Sequence, residues 1–389
     1  MRPKNQKKHR LKEQGRHSLK EIAAVFLKLG CFGFGGPAVH IAMMEQEVVR
    51  KREWMSETHF LDMVGATNLI PGPNSTEMTM HCGHERGGIK GMIVAGACFI
   101  FPAVVITSLL AWLYQRYGSL PNVRPFIYGI KPAVIALIVA MMVSLGKRAV
   151  KSLQLAILAI LAVVLALVGY NEIIILFGLG ALGVLLYAAT QKRKTLHSIY
   201  LPLVLLQVSG LHFDPNKWKI FWIFLKVGSL LYGSGYVLFA FLDAELVNKG
   251  MLARTTLVDA IAVGQITPGP VFSSATFIGW QMAGFTGALA ATAGIFLPSF
   301  IFVAVLNPLI PKLRKSHFIS SFLDAVNVAA IALILVVCLE MGKESLQDWR
   351  TILIAVVSFI IAFGFKRLNS VFLILGGAIM GFILSLITF

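Results

Sequence analysis

The amino-acid sequence contains one unit twice, the second copy following the first by 196 to 198 residues. Three motifs recur in the same order: Phe26–Gly30 recurs as Phe224–Gly228, Pro71–Pro73 as Pro268–Pro270, and Phe99–Pro102 as Ile295–Pro298. Chance matches do not keep both order and spacing in this way. The sequence therefore predicts two equivalent halves that share one architecture.

The repeat divides the chain into four parts. We expect a basic tail over residues 1–19, a first repeat over 20–190, a linker over 191–217 and a second repeat over 218–389. The linker opens with a basic run, Lys192-Arg193-Lys194, and contains the turn signal Asp214-Pro215-Asn216.

Long uncharged runs determine the fold class. Ile93–Leu113 and Val371–Phe389 contain no formal charge, and about 20 apolar residues are enough to cross the hydrocarbon core of a bilayer. Hydrophobic residues make up 57% of the chain and charged residues only 14%, whereas charged residues are about 25% of soluble domains. The sequence predicts an all-α polytopic membrane protein, which excludes disordered, collagen-like, secreted disulfide-rich and ordinary soluble proteins.

The charge distribution indicates how the chain sits in the membrane. The formal net charge is +17, and residues 1–20 contain eight lysines and arginines but only one acidic residue, Glu13. The positive-inside rule therefore predicts a cytoplasmic N-terminus and a multi-pass protein of the inner (plasma) membrane. The basic tail is expected to contact anionic lipid headgroups, and we do not predict binding to nucleic acid.

Loop charges favour opposite orientations of the two repeats. The loop after the span ending near Leu145 is basic, whereas the corresponding loop of the second repeat, 340–350, is net acidic. The next pair of loops reverses this bias, with Asn171-Glu172 in the first repeat and Lys366-Arg367 in the second. Inverted repeats are common in transporters. The basic start of the linker fits this arrangement if residues 196–213 enter or cross the membrane.

Each repeat contains two helix-breaking motifs, one Gly-rich and one Pro-Gly-Pro. The breaks comprise Gly35, Gly36 and Pro37, then Pro71, Gly72 and Pro73, in the first repeat, and Gly233 and Gly235, then Pro268, Gly269 and Pro270, in the second. Proline removes a backbone donor, and unwound backbone at membrane depth survives only in protein or in a watery cavity. A new helix after each Pro-Gly-Pro would direct free amides and a positive dipole end into the midplane, which favours an anion site; packing kinks are the alternative.

Charged residues also repeat near the breaks. Lys28 matches Lys226, and a lysine within a membrane helix either faces a polar cavity or extends to the interface. Acidic residues recur in register: Glu45 and Glu47 with Asp243 and Glu245, and Asp62 with Asp259. These acids could neutralise the lysines or carry protons, and a helix-terminal structural role is the alternative for Asp62 and Asp259.

The remaining motifs do not predict an enzyme. His81 and His84 stand three residues apart, but no third ligand is evident, so we predict no metal site. A proton-relay or gating role for either histidine stays open. No cofactor fingerprint or catalytic motif is present in the sequence.

Four segments resemble a known family. Phe32–Pro37 and Asn68–Glu77 resemble the first half of the two-domain chromate ion transporters (CHR family), and Tyr232–Leu238 and Gly264–Pro270 resemble their second half. The resemblance implies chromate export, which confers chromate tolerance, coupled to protons or to exchange with another anion. A sulfate or other tetrahedral-oxyanion transporter is the alternative within transport; a membrane metalloenzyme and a non-transporting receptor are the alternatives outside it.

Under this resemblance the breaks of both halves form the substrate site. Substrate-binding residues are expected at Lys28, Gly35, Gly36, Asn74, Ser75, Thr76, Lys226, Gly233, Gly235, Thr267 and Ser273. Coupling protons are expected on Glu45, Glu77 or Asp243. The predicted partners are chromate or sulfate, a coupling proton or anion, the lipid bilayer, and a second copy if the protein is a homodimer. No cofactor is predicted.

Overall fold

The computed structural model describes residues 19–67, 70–190, 217–232, 235–306, 316–365 and 369–387, and every regular element within these ranges is helical. In the first repeat the helices are α1 (19–32), α2 (Pro37–Met44), α3 (Glu57–Thr67), α4 (Asn74–Tyr117), α5 (Arg124–Ala149), α6 (Leu153–Val168) and α7 (Glu172–Thr190). In the second they are α8 (Lys217–Leu230), α9 (Val237–Leu242), α10 (Arg254–Ile266), α11 (Ser274–Leu306), α12 (His317–Ser345), α13 (Trp349–Gly364) and α14 (Ser370–Leu386).

The helix lengths confirm a polytopic helical membrane protein. Five described segments are long and apolar enough to cross a bilayer: Asn74–Tyr117, Arg124–Ala149, Glu172–Ala189, Val271–Val305 and Phe318–Ser345. Helices α6, α13 and α14 are apolar but shorter. The predicted linker, 191–217, lies outside the described residues except for Lys217, as does the predicted membrane segment within it.

Helices α4 and α11 are each a tight hairpin, which the sequence did not predict. In α4 the chain reverses at Gly87-Gly88, where Gly88 has φ 59° and ψ −154°, a conformation open essentially to glycine alone. Gly83 and Gly91 touch backbone to backbone, although eight residues of continuous helix would separate them by about 12 Å. Ala283-Gly284 makes the same reversal in α11. We call the arms α4a (74–86), α4b (89–117), α11a (274–282) and α11b (285–306).

The helices before α4b form two re-entrant pairs, α1 with α2 and α3 with α4a. Arg86, at the end of α4a, lies 3.1 Å from Glu21 in the first turns of α1, and Trp54, between α2 and α3, donates to the same Glu21 carboxylate. His59 at the start of α3 meets Glu85 at 3.4 Å. The outer ends of α1, α2, α3 and α4a therefore share one face of the protein, which we call face A. The breaks lie at the inner ends of these helices.

Equivalent helices of the two repeats run antiparallel. Lys151, just after α5, binds Asp324 near the start of α12 at 2.8 Å, whereas Tyr128 near the start of α5 donates to Asp348, just after α12. Helices α5 and α12 are equivalent members of the repeat, so the second repeat is inverted relative to the first. Asp348 and the end of α12 lie on the opposite face, face B, where Arg254 of α10 also meets Glu344 at 3.0 Å.

The two repeats interlock. Helices α6 and α7 of the first repeat contact α12 of the second, and α13 and α14 of the second contact α5 of the first. Small residues make the closest crossings: Gly183 of α7 faces Ala325 of α12, and Gly129 of α5 lies against Gly377 and Gly381 of α14. Small residues let membrane helices approach closely. The bundle is therefore one body in which each repeat completes the other.

The inverted arrangement predicts opposite accessibility for two equivalent residues. Lys90 follows the α4 turn on face A, Thr286 follows the α11 turn on face B, and both are exposed. We expect Lys90→Cys and Thr286→Cys, each in a background without the four native cysteines, to react with a membrane-impermeant thiol reagent from opposite sides. Labelling of intact cells and of everted vesicles measures this, and reaction of both residues from the same side would contradict an inverted repeat.

Candidate functional site

The four breaks meet in reciprocal pairs across the two repeats. The Gly269 amide in the second Pro-Gly-Pro donates to the Gly33 carbonyl in the first Gly-rich break, at 2.8 Å. The Gly72 amide in the first Pro-Gly-Pro donates to the Leu231 carbonyl, beside the second Gly-rich break, at 2.7 Å. The structure thus brings the breaks of both halves together, and we call this region the break site.

Backbone geometry requires glycine at the centre of each Pro-Gly-Pro. Gly72 has φ +140° and Gly269 has φ +89°, in the half of φ space that side chains disfavour. The flanking prolines have no N–H to leave unpaired at membrane depth. A Cβ on Gly72 would collide with Glu77 of α4a and Ser299 of α11b, whereas a Cβ on Gly269 would approach Ala103. The two Pro-Gly-Pro corners are therefore alike in backbone but differ in their polar neighbours.

Buried polar atoms without a protein partner gather at the break site. Thr76 and Ser273 each stand three residues after the second proline of their Pro-Gly-Pro, and both are fully buried. The described side-chain atoms of this region that lack a hydrogen-bond partner are Thr76 Oγ1, Gln265 Nε2 and Ser273 Oγ, and the Ser299 hydroxyl and the Glu77 carboxylate lie against each other without a further partner. Buried polar groups in proteins are normally paired. A cluster of unpaired ones indicates a site that a polar ligand or water fills.

Two of the backbone amides that we predicted to be free after the Pro-Gly-Pro breaks are hydrogen-bonded within the new helices. The Thr76 amide donates to the Pro73 carbonyl at 2.8 Å, and the Ser273 amide donates to the Pro270 carbonyl at 2.9 Å. These bonds form in the first turn because a proline lacks an N–H but still has a carbonyl, which accepts from the amide three residues later. At both positions the hydroxyl, rather than the amide, is the donor left for a ligand.

Other predicted binding residues have varied surroundings. Ser75 is buried, and Asn74 is partly exposed at the start of α4a. The Thr267 hydroxyl donates to the Val263 carbonyl and accepts from Thr107, so its proton is already engaged. Gly235 lies beside the Phe272 ring, and Gly233 is outside the described residues. Gly35, Gly36 and Pro37 form the turn into α2.

Lys28 and Lys226 form equivalent ion pairs. Lys28 binds Glu47 at 3.0 Å and Lys226 binds Glu245 at 2.7 Å, so these two of the repeated acids neutralise the lysines, the first of the two alternatives that the sequence left open. Both glutamates lie in π-helical segments that continue α2 and α9. Hydrogen bonds from Lys28 and Lys51 hold the pKa of Glu47 below its ordinary value, so this pair persists until the pH falls below the usual carboxylate range. The Lys28 side chain is 55% exposed and lies at the protein surface.

The three predicted coupling acids differ in their partners. Glu45 binds Arg50 at 2.8 Å, and Asp243 binds Arg254 at 2.9 Å. Glu77, which is 0% exposed, has no cationic partner among the described residues. Of the three, Glu77 alone lies at the break site.

A buried cluster between the repeats was only partly predicted. Tyr114 of α4b donates to Asp259 of α10 at 2.6 Å, and Lys131 of α5 lies 3.5 Å from the same carboxylate oxygen. The repeat identified Asp259 but neither of its partners, because contacts across the repeats leave no local pattern. One signal was present: Lys131 is the single formal charge between Pro125 and Gly146. Gln265 lies in the family-like segment Gly264–Pro270, whereas Ser299 had no comparable signal.

Comparison with known proteins gives a consistent result. The family model described as Chromate transporter matches residues 20–184 and 218–382. A probable chromate transport protein of Synechococcus elongatus is 31% identical over 94% of this chain and 96% of its own length. Chromate transport proteins of Cupriavidus metallidurans and Pseudomonas aeruginosa are 29% and 28% identical, each over 94% of this chain and over 93% and 92% of their own lengths. No solved structure matches the chain significantly.

Proposed function

This chain belongs to the chromate transporter family, and we propose that it is a secondary active transporter that exports chromate from the cytoplasm and so confers chromate tolerance. The observation that carries the proposal is the break site, where unwound backbone of two inverted repeats meets beside unpaired buried hydroxyls. Inverted repeats with broken helices at the midplane allow alternating access, because each repeat can adopt the conformation of the other. Membership in this family makes the protein a transporter rather than an enzyme.

Neutral donors would bind the anion. The Thr76 and Ser273 hydroxyls and the Gln265 amide each have a polar atom free to contact a chromate oxygen. We also assign Ser75, Asn74 and the glycine backbones of the breaks to the wall of the site. Thr267 lies at its edge. Hydroxyl and amide donors distinguish tetrahedral oxyanions poorly, so sulfate is the alternative substrate.

Glu77 is proposed to carry the coupled proton. A carboxylate that is buried at this depth without a cationic partner costs several kcal/mol, and a dianion beside it would add repulsion. Chromate should therefore occupy the site only while Glu77 is protonated, so one proton travels with each dianion. The complex then carries one net negative charge outward, which an inside-negative potential favours by about 2.3 kcal/mol per 100 mV.

Face A is proposed to be cytoplasmic. The basic N-terminal tail leads into α1, which begins on face A, and Lys147, Arg148 and Lys151 lie at the face-A end of α5. The positive-inside rule then places face A in the cytosol of a plasma-membrane protein. Positive charge on that face would also concentrate anions at the entrance.

Chromate uptake into everted membrane vesicles tests the function. We expect saturable accumulation that rises with a lumen-positive potential and that sulfate reduces by competing for the same donors. Vesicles from cells that lack the protein are the control for background uptake. Sulfate accumulation without chromate accumulation would transfer the proposal to the sulfate alternative, and flux of neither anion would refute the transport site.

The paired lysines make a further prediction. We expect Lys28→Ala and Lys226→Ala each to lower chromate flux several-fold. Each change removes a positive charge that attracts the anion and leaves the partner glutamate, Glu47 or Glu245, with less positive charge beside it. Flux per amount of protein in the membrane is the measurement. The double variant Lys226→Ala with Glu245→Gln separates two explanations, loss of the lysine that attracts the anion and exposure of the anion to an unpaired Glu245 carboxylate. Flux should stay low in the double variant if the lysine attracts the anion. Full activity of both single variants would remove the lysines from the site.

A further inference from the structure

Two polar contacts lie in line from the break site towards face B. At the inner end Thr107 of α4b donates to Thr267, the residue before the second Pro-Gly-Pro, at 3.4 Å. At the outer end Tyr114 of α4b donates to Asp259 of α10 at 2.6 Å. The two contacts are seven or eight residues apart on their helices, about two turns or 10–12 Å. We call this line the polar seam.

Lys131 lies at the outer end of the seam. Its ammonium is 3.5 Å from the Asp259 oxygen that accepts from Tyr114, and its side chain is 22% exposed while that of Asp259 is 4% exposed. The three side chains come from α4b, α5 and α10, so they join the two repeats. Lys131 is the one cation that we find along the described part of the seam, and it is paired with the Asp259 carboxylate.

The corresponding line towards face A lacks these groups. Asp62, the counterpart of Asp259, is exposed, and Asn327 stands where the first repeat has Lys131. Ile70 and Val303 replace Thr267 and Thr107. The repeat folds without a polar seam on that side, so packing alone does not require one. The difference makes the two halves of the path chemically unequal.

We propose that Lys131 is a second, transient anion site on the face-B half of the path, where the transported dianion displaces Asp259. This inference rests on the proposed function. In this conformation the Asp259 carboxylate binds the Lys131 ammonium at the position that the transported anion would take. The Tyr114 hydroxyl supplies a neutral donor beside it. A dianion leaving the break site passes from hydroxyl donors to Lys131, and Asp259 returns to the ammonium once the dianion has left.

Neutral replacement of the pair separates transport from structure. A buried ion pair replaced by neutral groups of similar volume often leaves stability unchanged. In proteoliposomes we expect Lys131→Met with Asp259→Asn to lower the maximal chromate flux about tenfold, while Lys131→Arg keeps most of it. Arg124→Met, which removes an exposed cation from the same helix, is the matched control and should transport normally. Wild-type flux in the double variant would overturn the proposal.

A second variant keeps the test decisive if the double variant does not reach the membrane. Asp259→Asn leaves Lys131 without its competitor, so the anion should bind more tightly and leave more slowly. We expect the KM for chromate and the maximal flux both to fall several-fold. An unchanged or raised KM would show that Asp259 only braces the bundle and would overturn the proposal. Absence of chromate flux in the wild-type protein would refute the proposed function instead.

Discussion

Replacing Glu77 by glutamine is expected to release chromate transport from the pH gradient and to make its response to the potential steeper. Glutamine keeps the size and polarity of the side chain but carries no exchangeable coupling proton. In everted vesicles with an acidic lumen, wild-type accumulation should rise about tenfold for each pH unit that is collapsed, because one pH unit corresponds to 1.36 kcal/mol per proton. The Glu77→Gln variant should not respond.

The potential gives an independent readout of the same variant. If one proton accompanies the dianion, wild-type accumulation changes tenfold for about 59 mV, the value for one charge. Without the proton two charges move, so Glu77→Gln should change about a hundredfold over the same interval. Glu45→Gln is the control, because Glu45 is paired with Arg50 away from the break site. A Glu77→Gln protein that still follows the pH gradient would place the coupling proton elsewhere.

Replacing Gly72 by alanine is expected to abolish transport. The φ of +140° is strained for any side chain, at a cost of about 1–3 kcal/mol, and the added methyl group collides with Glu77 and Ser299. Relief of that collision has to move the first Pro-Gly-Pro, whose amide contacts Leu231 of the other repeat. We expect flux per amount of protein to fall at least tenfold.

Gly169 provides the matched control for backbone strain. It ends α6 with φ +93°, and a Cβ there meets no atom within 4 Å. Gly169→Ala should therefore cost about 1 kcal/mol of stability and leave the flux per amount of protein unchanged. Equal loss of flux in both variants would mean that strain, rather than the collision at the break site, inactivates Gly72→Ala.

The sequence predicted the parts of the fold that repeat along the chain. Offsets between Pro71 and Pro268 located the breaks, and loop charges such as those at Lys147 and Glu340 indicated opposite orientations before any geometry was known. Uncharged runs predicted the spans, and the match between Glu47 and Glu245 predicted partners for the lysines. Each of these signals is local or periodic, which is why a single sequence reveals it.

Contacts between distant segments could not be predicted in the same way. Ser299 reaches Glu77 because α11b of one repeat crosses the corner of the other, and Lys131 reaches Asp259 across the same boundary. The hairpins were missed because the sequence does not show whether Gly87-Gly88 continues a helix or reverses the chain, and only the close approach of Gly83 and Gly91 reveals the reversal. These features depend on three-dimensional packing rather than on spacing.

The interlocked repeats set an order of events during synthesis. Helices α6 and α7 leave the ribosome before their partner α12 exists, and more than a hundred further residues separate Thr190 from His317. At about 5–20 residues per second the newly inserted first repeat waits roughly ten seconds with lipid against the surfaces that α12 will cover. The nascent protein therefore acquires its finished interior only after the second repeat has been inserted in the opposite sense.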